Sequence, residues 1–128
     1  MSVRWYSVVV DCHDAAAQAR WWAEVLGWEI AFEDEEESEI ASAEMIEAPV
    51  SGRGPGLTFV PVPEGKAVKN RLHIDVAPPA STDQGAEVER LIAMGATHAD
   101  VGQERDKVTW VVLADPEGNE FCVLSPRD

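Results

Sequence analysis

The side chains able to do chemistry fall at a few places in this chain. His73 and Asp75 are two residues apart in Leu72-His73-Ile74-Asp75-Val76, so on an extended strand they share one face. An imidazole beside a carboxylate is an acid–base pair, or two members of a metal-ligand set. Cys122 alternates with Phe121 and Val123, as Ser7 and Asp11 alternate with Val8 and Val10. A thiol facing a histidine would suit zinc or a nucleophilic pair. The plainer readings are a small buried hydrophobe for Cys122 and a hydrogen-bonded lining residue for His73. Lys66, Lys69 and Arg71 place three cations in one short stretch. They read either as a lip for a ligand carboxylate or phosphate, with Arg71 able to bind it bidentately, or as partners for nearby acids. Trp110 reads as an aromatic wall for a planar ligand or as ordinary core.

Two other segments look like sites and are read as turns. Glu33-Asp34-Glu35-Glu36-Glu37-Ser38-Glu39 lacks the spaced oxygen ligands and glycine of a calcium loop, so a solvated hairpin loop is expected. Gly52-Arg53-Gly54-Pro55-Gly56 runs into a strand, not a helix N-terminus, and has no following Lys-Ser/Thr to hold phosphate.

The elements that must position these groups repeat. Tyr6 to Asp11 is a β-branched strand, and Asp14 is the expected N-cap of a helix from Ala15 to Leu26 that Gly27 ends. Trp28–Glu33, Ile40–Glu47 and Leu57–Val62 follow as strands. The second half repeats the order: strand Leu72–Val76, a helix capped by Ser81 or Thr82 with Val88, Leu91 and Ile92 inward, a stop at Gly95, then strands Thr97–Val101, Thr109–Ala114 and Glu120–Leu124. Asp115-Pro116-Glu117-Gly118-Asn119 joins the last two. One α+β domain over 1–128 is expected, made of two βαβββ modules at about 1–65 and 70–128 joined near Lys66–Arg71. Tyr6, Val8, Val10, Leu72, Ile74, Val76, Phe121 and Val123 form the predicted core faces. Trp21 and Trp22 lie about 100° apart on their helix, which predicts one packed on the sheet and the other against a loop or a partner subunit.

Composition narrows the partners. With 24 acidic against 10 basic residues the net charge is -14, which repels phosphate backbones and anionic headgroups, so neither nucleic acid nor membrane is expected. The N-terminus lacks a secretory layout, and the two cysteines, Cys12 and Cys122, form no paired metal motif. A reduced, cytoplasmic protein is expected.

The ordered set Val8-Val9-Val10-Asp11-Cys12, Trp22 through Leu26-Gly27-Trp28, Lys69-Asn70-Arg71-Leu72-His73-Ile74-Asp75-Val76, Met94-Gly95-Ala96 and Leu113-Ala114-Asp115-Pro116-Glu117-Gly118-Asn119-Glu120-Phe121-Cys122-Val123 resembles the vicinal oxygen chelate superfamily. That superfamily includes glyoxalase I, extradiol dioxygenases and bleomycin-resistance proteins, and the chain looks most like its small glyoxalase-like domain proteins. The resemblance implies paired modules forming a cupped mixed sheet around a cleft. It also implies metal ligands on the first and last strands of each module, which fall on Ser7 and Val60 in the first and on His73 and Cys122 in the second. Only His73 is of the usual ligand type, so no metal or other cofactor is expected. If one is held, His73 and Cys122 hold it.

The first reading is therefore a metal-independent small-molecule-binding protein of the sequestration or resistance type. Its cleft would be lined by Ser7, Asp11, Val60, Arg71, His73, Asp75, Trp110 and Cys122. The alternative is a lyase- or isomerase-type enzyme using His73, with or without a divalent metal. A third is a regulatory module with a vestigial cleft. A homodimer stays open.

Overall fold

The computed structural model describes residues 2–104 and 108–128. The chain divides into two units, Met1–Gly65 and Lys66–Asp128, and each is built in the same way.

The first module runs β1 (Ser7–Cys12), α1 (Ala15–Leu26), β2 (Glu29–Glu33), β3 (Ser38–Ala41), α2 (Ala43–Glu47), a 3-10 turn at Val50–Gly52, and β4 (Gly56–Pro61). Its sheet has the order β1-β4-β3-β2, with β1 and β4 parallel. The second runs β5 (Ile74–Val76), α3 (Gln84–Ala93), β6 (Thr97–His98), β7 (Val111–Ala114) and β8 (Glu120–Val123). Its sheet has the matching order β5-β8-β7-β6, with β5 and β8 parallel. The duplication read from the sequence is thus present at the level of strand order.

Local chemistry explains the helices. Asp14 accepts from the Ala17 N–H at 3.1 Å and so satisfies one orphan donor of α1. Gly27 closes the helix at φ 67°, a left-handed conformation that glycine adopts without a Cβ penalty. In the second module the cap is Asp83, whose carboxylate accepts from the Ala86 N–H at 3.0 Å. The expected caps Ser81 and Thr82 stand outside. The Thr82 hydroxyl is spent on the Pro79 carbonyl in the preceding turn.

The core faces follow the strand alternation. Val8 and Val10 pair with Leu57 and Phe59, while Ile74 and Val76 pair with Phe121 and Val123. Leu57, Phe59, Phe121 and Val123 are all buried. Trp21 and Trp22 are both buried, edge to face with ring centroids 5.2 Å apart. α1 thus has a wide enough apolar face for both rings to be covered within the chain.

Several boundaries differ from expectation. The predicted strand Ile40–Glu47 stops at Ala41, because Ser42 caps α2 by accepting from the Met45 N–H. The strand predicted to start at Leu72 starts at Ile74, and Leu72 is 83% exposed instead of core. Before Ile74 the chain is tied to Glu120 through Asn70, not to a ladder, so strand alternation does not govern it. Tyr6 is likewise exposed, just ahead of β1, with the Arg4 guanidinium 5.5 Å over its ring. The strand from Thr97 ends at His98, and the Asp100 carboxylate then accepts from Gly102 in a turn. Ile92, expected inward, is exposed beside the buried Leu91. Among the described residues, no helix is long and apolar enough to cross a membrane.

Candidate functional site

In the second module, the face of the sheet opposite the core carries Asp75 and Cys122, which are register partners, together with Val112, the antiparallel partner of Cys122. His73 sits one residue before β5 on the same side. Its Nδ1 is 3.3 Å from an Asp75 carboxylate oxygen and 3.9 Å from the Cys122 sulfur. His73 and Asp75 are half-exposed and Cys122 is buried. The structure therefore joins three of the sequence-predicted residues into one cluster inside a single module. His73 and Cys122 border a notch of about 80 Å³ with Lys69, Asn70, Gln103 and Glu120; Asp75 lies outside its lining.

The electrostatics of this face have identifiable causes. Burial pushes the Cys122 thiol up, and the charge of Asp75 and a hydrogen bond to it add to the effect; Lys69 opposes them. Cys122 is thus a thiol and not a ready nucleophile. Glu120 accepts from Lys66 at 2.9 Å and from the Asn70 N–H at 3.1 Å. Burial raises its carboxyl, but the Lys66 bond, backbone N–H donors and the lysine charge outweigh burial and leave it below the ordinary carboxylate range. Of the basic stretch, Lys66 is accordingly an ion-pair partner, whereas Lys69 lines the notch. Arg71 is exposed and lies outside the lining of the notch. Trp110 lines a separate cavity with Gln84, Val88 and His98, and its indole N–H donates to Gln103 at 2.7 Å.

The first module places Ser7, Asp11 and Val60 on the corresponding face of its own sheet, but the internal equivalence needs correcting. If Ser7 corresponds to His73, Val9 corresponds to Asp75. The register partner of Val9 is Thr58, as that of Asp75 is Cys122. Thr58, not Val60, is therefore the counterpart of Cys122; Val60 lies two residues further on, opposite Asp11. Ser7 and Thr58 hydroxyls are 2.9 Å apart, and the Ser7 hydroxyl also lies 3.2 Å from the Gly56 carbonyl oxygen. Thr58 was not singled out from sequence, because its identity as a counterpart depends on strand register.

Among the described residues, a cluster of three metal-ligand types is found in the second module. Ligand atoms of His73, Asp75 and Cys122 all lie within 4.8 Å of one another. Zinc bonds of about 2.0–2.3 Å place tetrahedral ligands roughly 3.3–3.8 Å apart; His73 Nδ1 lies 3.3 Å from Asp75 and 3.9 Å from Cys122, so small side-chain shifts would complete a three-ligand site. The counterparts Ser7, Val9 and Thr58 offer two hydroxyls and a hydrocarbon, which do not fit. When bound at His73, Asp75 and Cys122, a zinc ion would supply Lewis acidity at an open position.

A family model described as a glyoxalase-like domain matches residues 7–124. No curated protein matches the chain. Among solved structures, a glyoxalase/bleomycin resistance protein/dioxygenase family enzyme from Burkholderia phytofirmans PsJN is similar at 20% identity, with a TM-score of 0.64 over 96% of this chain and 98% of that one. A glyoxalase-related enzyme from Fulvimarina pelagi is 19% identical, with a TM-score of 0.63 over 94% and 86% of the two chains. The fosfomycin resistance protein FosX from Listeria monocytogenes, in complex with Mn(II) and sulfate, is 13% identical, with a TM-score of 0.69 over 98% and 91%. At these identities the structures speak for the fold, and they agree with the paired βαβββ modules. With the family model matched from β1 to the residue after β8 and the strand order repeated in both halves, the chain belongs to the glyoxalase-like domain family.

Proposed function

We propose that this glyoxalase-like protein binds a small molecule without a metal, as a sequestration or resistance protein does. The observation that carries the reading is the Ser7–Thr58 hydroxyl pair, which stands where the second module has His73 and Cys122. Both hydroxyls are already engaged, and a neutral hydroxyl is a poor substitute for imidazole, thiolate or carboxylate as a ligand. At the two positions equivalent to His73 and Cys122, the first module thus offers no ligand of the usual type.

The second module's notch, at about 80 Å³, is too small for a whole ligand of ordinary size. It suits the anchoring of one polar group. Lys69 supplies a cation there and His73 a donor or acceptor, with Asp75 outside the notch but beside the His73 ring. Arg71, Trp110, Ser7, Asp11 and Val60 remain part of the proposed binding surface as further contacts in their own modules. The proposed setting is the cytoplasm, with a homodimer as the assembly.

The test is a ligand screen read by melting temperature, run with and without chelator. Saturable binding that survives chelator, weakens in His73→Ala and proceeds without turnover is expected. Binding that vanishes with chelator would overturn the reading.

A second reading is favoured by one observation, the 3.3 Å approach of Asp75 to His73 Nδ1. A carboxylate on one ring nitrogen orients the imidazole and leaves Nε2 for a substrate proton. In this reading the protein is a lyase- or isomerase-type enzyme, and a divalent metal on His73, Asp75 and Cys122 is its variant form. His73→Ala would then abolish turnover in a folded protein, and retained turnover would remove His73 from the mechanism.

A further inference from the structure

The first module has a cavity of its own, lined by none of the His73, Asp75 and Cys122 cluster. It measures about 350 Å³, within the range of small-ligand pockets. Its floor is made of small residues, Ala41 and Gly56, on the open face of the sheet. Its walls include Phe32, Glu39, Met45 and Arg53.

Phe32 is there because of a backbone irregularity. Ile30 pairs with Ile40, which is fully buried, so strict alternation would also send Phe32 to the core side. The register shifts between Ile30 and Phe32, and Phe32 pairs with Glu39 instead. Glu39 in turn pairs with Thr58, on the open face. One bulge therefore turns an aromatic ring out of the core and leaves it 50% exposed beside a carboxylate. Exposing a phenyl ring forgoes its burial energy, and a ligand that covers it would recover that energy.

The charges in this cavity are of both signs and do not pair. Arg53 donates from Nε to the Ala48 carbonyl at 2.9 Å and from Nη2 to the Ile46 carbonyl at 3.1 Å. Those bonds tie down the end of α2 and fix the guanidinium, leaving Nη1 donors over. The Asp34 carboxylate accepts from the N–H groups of Glu36 and Glu37 and shapes the turn that presents Glu37. Among the described residues, no ion pair joins Arg53 to Glu37 or Glu39. Opposite charges lining one cavity at fixed positions, without contact, leave room for a group that meets both.

From this arrangement we infer that the first module holds a second ligand site, for a zwitterion of amino-acid type with an apolar side chain. Its ammonium group meets Glu39 and Glu37, its carboxylate meets the free edge of Arg53, and its side chain covers Phe32 and Met45. The net charge of -14 favours the ammonium end during approach. The site is independent of His73 and of any metal.

The test is an amide chemical-shift titration of the isotope-labelled full chain with four probes: L-phenylalanine, L-leucine, phenethylamine and 3-phenylpropionate. The two zwitterions should shift the Phe32, Glu39 and Gly54 amides saturably. The amine and the acid, each lacking one charge, should bind about tenfold more weakly or worse. Glu39→Gln, an isosteric change at a half-buried position, and Phe32→Ala, at an exposed one, should each weaken L-phenylalanine about tenfold. His73→Ala should leave it unchanged, which separates this site from the one in the second module. The inference is overturned if neither zwitterion gives saturable shifts, if phenethylamine binds as tightly as L-phenylalanine, or if Glu39→Gln has no effect.

Discussion

The two modules share a strand order and differ at the positions where chemistry is expected. Ser7, Val9 and Thr58 in the first correspond to His73, Asp75 and Cys122 in the second, by the register of the parallel strand pairs. One set is a closed pair of hydroxyls around a valine; the other gathers imidazole, carboxylate and thiol within 4.8 Å. The connection between the last two strands differs too. In the first module it contains α2 and the 3-10 turn, and α2 with Arg53 and Gly54 walls a cavity. In the second it is a tight turn held by the buried Asp115, whose carboxylate accepts from the Glu117 and Asn119 N–H groups. The same scaffold thus carries polar donor chemistry in one copy and an open, mixed-charge pocket in the other. Fold is preserved by the core-face residues, and they place no demand on the opposite face.

That comparison can be broken most strongly at the cores. Phe59 and Phe121 are the buried β4 and β8 residues opposite Val10 and Ile74. Phe59→Ala and Phe121→Ala should each cost about 3–5 kcal/mol in denaturant unfolding. Similar losses are expected, since both rings are essentially fully buried. A loss under about 1 kcal/mol in either would mean that its module is not held by the core face described.

The helix caps sharpen the comparison at a smaller scale. Asp14→Ala and Asp83→Ala should each destabilise by about 1 kcal/mol, because each removes the acceptor for one N-terminal N–H. Ser81→Ala should do nothing measurable, despite its place in the sequence pattern.

The ion pairs give a pH test. Glu33 with Arg20 in the first module and Glu120 with Lys66 in the second both have carboxyls held below their ordinary value of 4.5. For Glu33 the hydrogen bonds from Arg20 and Ser38 are the leading cause. A lowered folded pKa means that the unfolded chain binds the proton more readily, so each contribution is present in full above pH 4.5 and is lost as pH falls through the lowered value. Glu120→Gln should cost about 1 kcal/mol at neutral pH, with the gap to wild type closing in acid. Glu33→Gln should show the same sign and a smaller effect, because its carboxylate is more exposed, at 30% against 13%. Parallel stability curves for wild type and Glu120→Gln from neutral pH into acid would contradict this account of the pair.

Much of the fold was legible because it rests on local chemistry and alternation. The α1 cap and stop, the duplicated order and the Asp115–Asn119 turn all follow from residue types near one another. What was missed depended on longer-range register or on competition between signals. Ser42 followed by Ala43, Glu44 and Met45 is a helix-start signal, but the neighbouring β-rich residues outweighed it. The exposed Leu72 shows that alternation fails where an edge strand loses its ladder. The His73–Asp75–Cys122 cluster was partly legible, with His73 and Asp75 on one strand face and Cys122 assigned to the same face of its own strand. The role of Thr58 and the outward turn of Phe32 were not legible, because both depend on which residue lies across the sheet. A single bulge changes that without leaving a mark in composition.

Whether ligand binding here needs a metal is decided by elemental analysis. Tag-free protein would be purified without chelator, then loaded with zinc, nickel or manganese and desalted. The account predicts no metal retained at a fixed ratio to chain and no change in melting temperature on loading. About one zinc per chain, lost in His73→Ala or Cys122→Ala, would contradict it and make the three-ligand site on the second module the working centre.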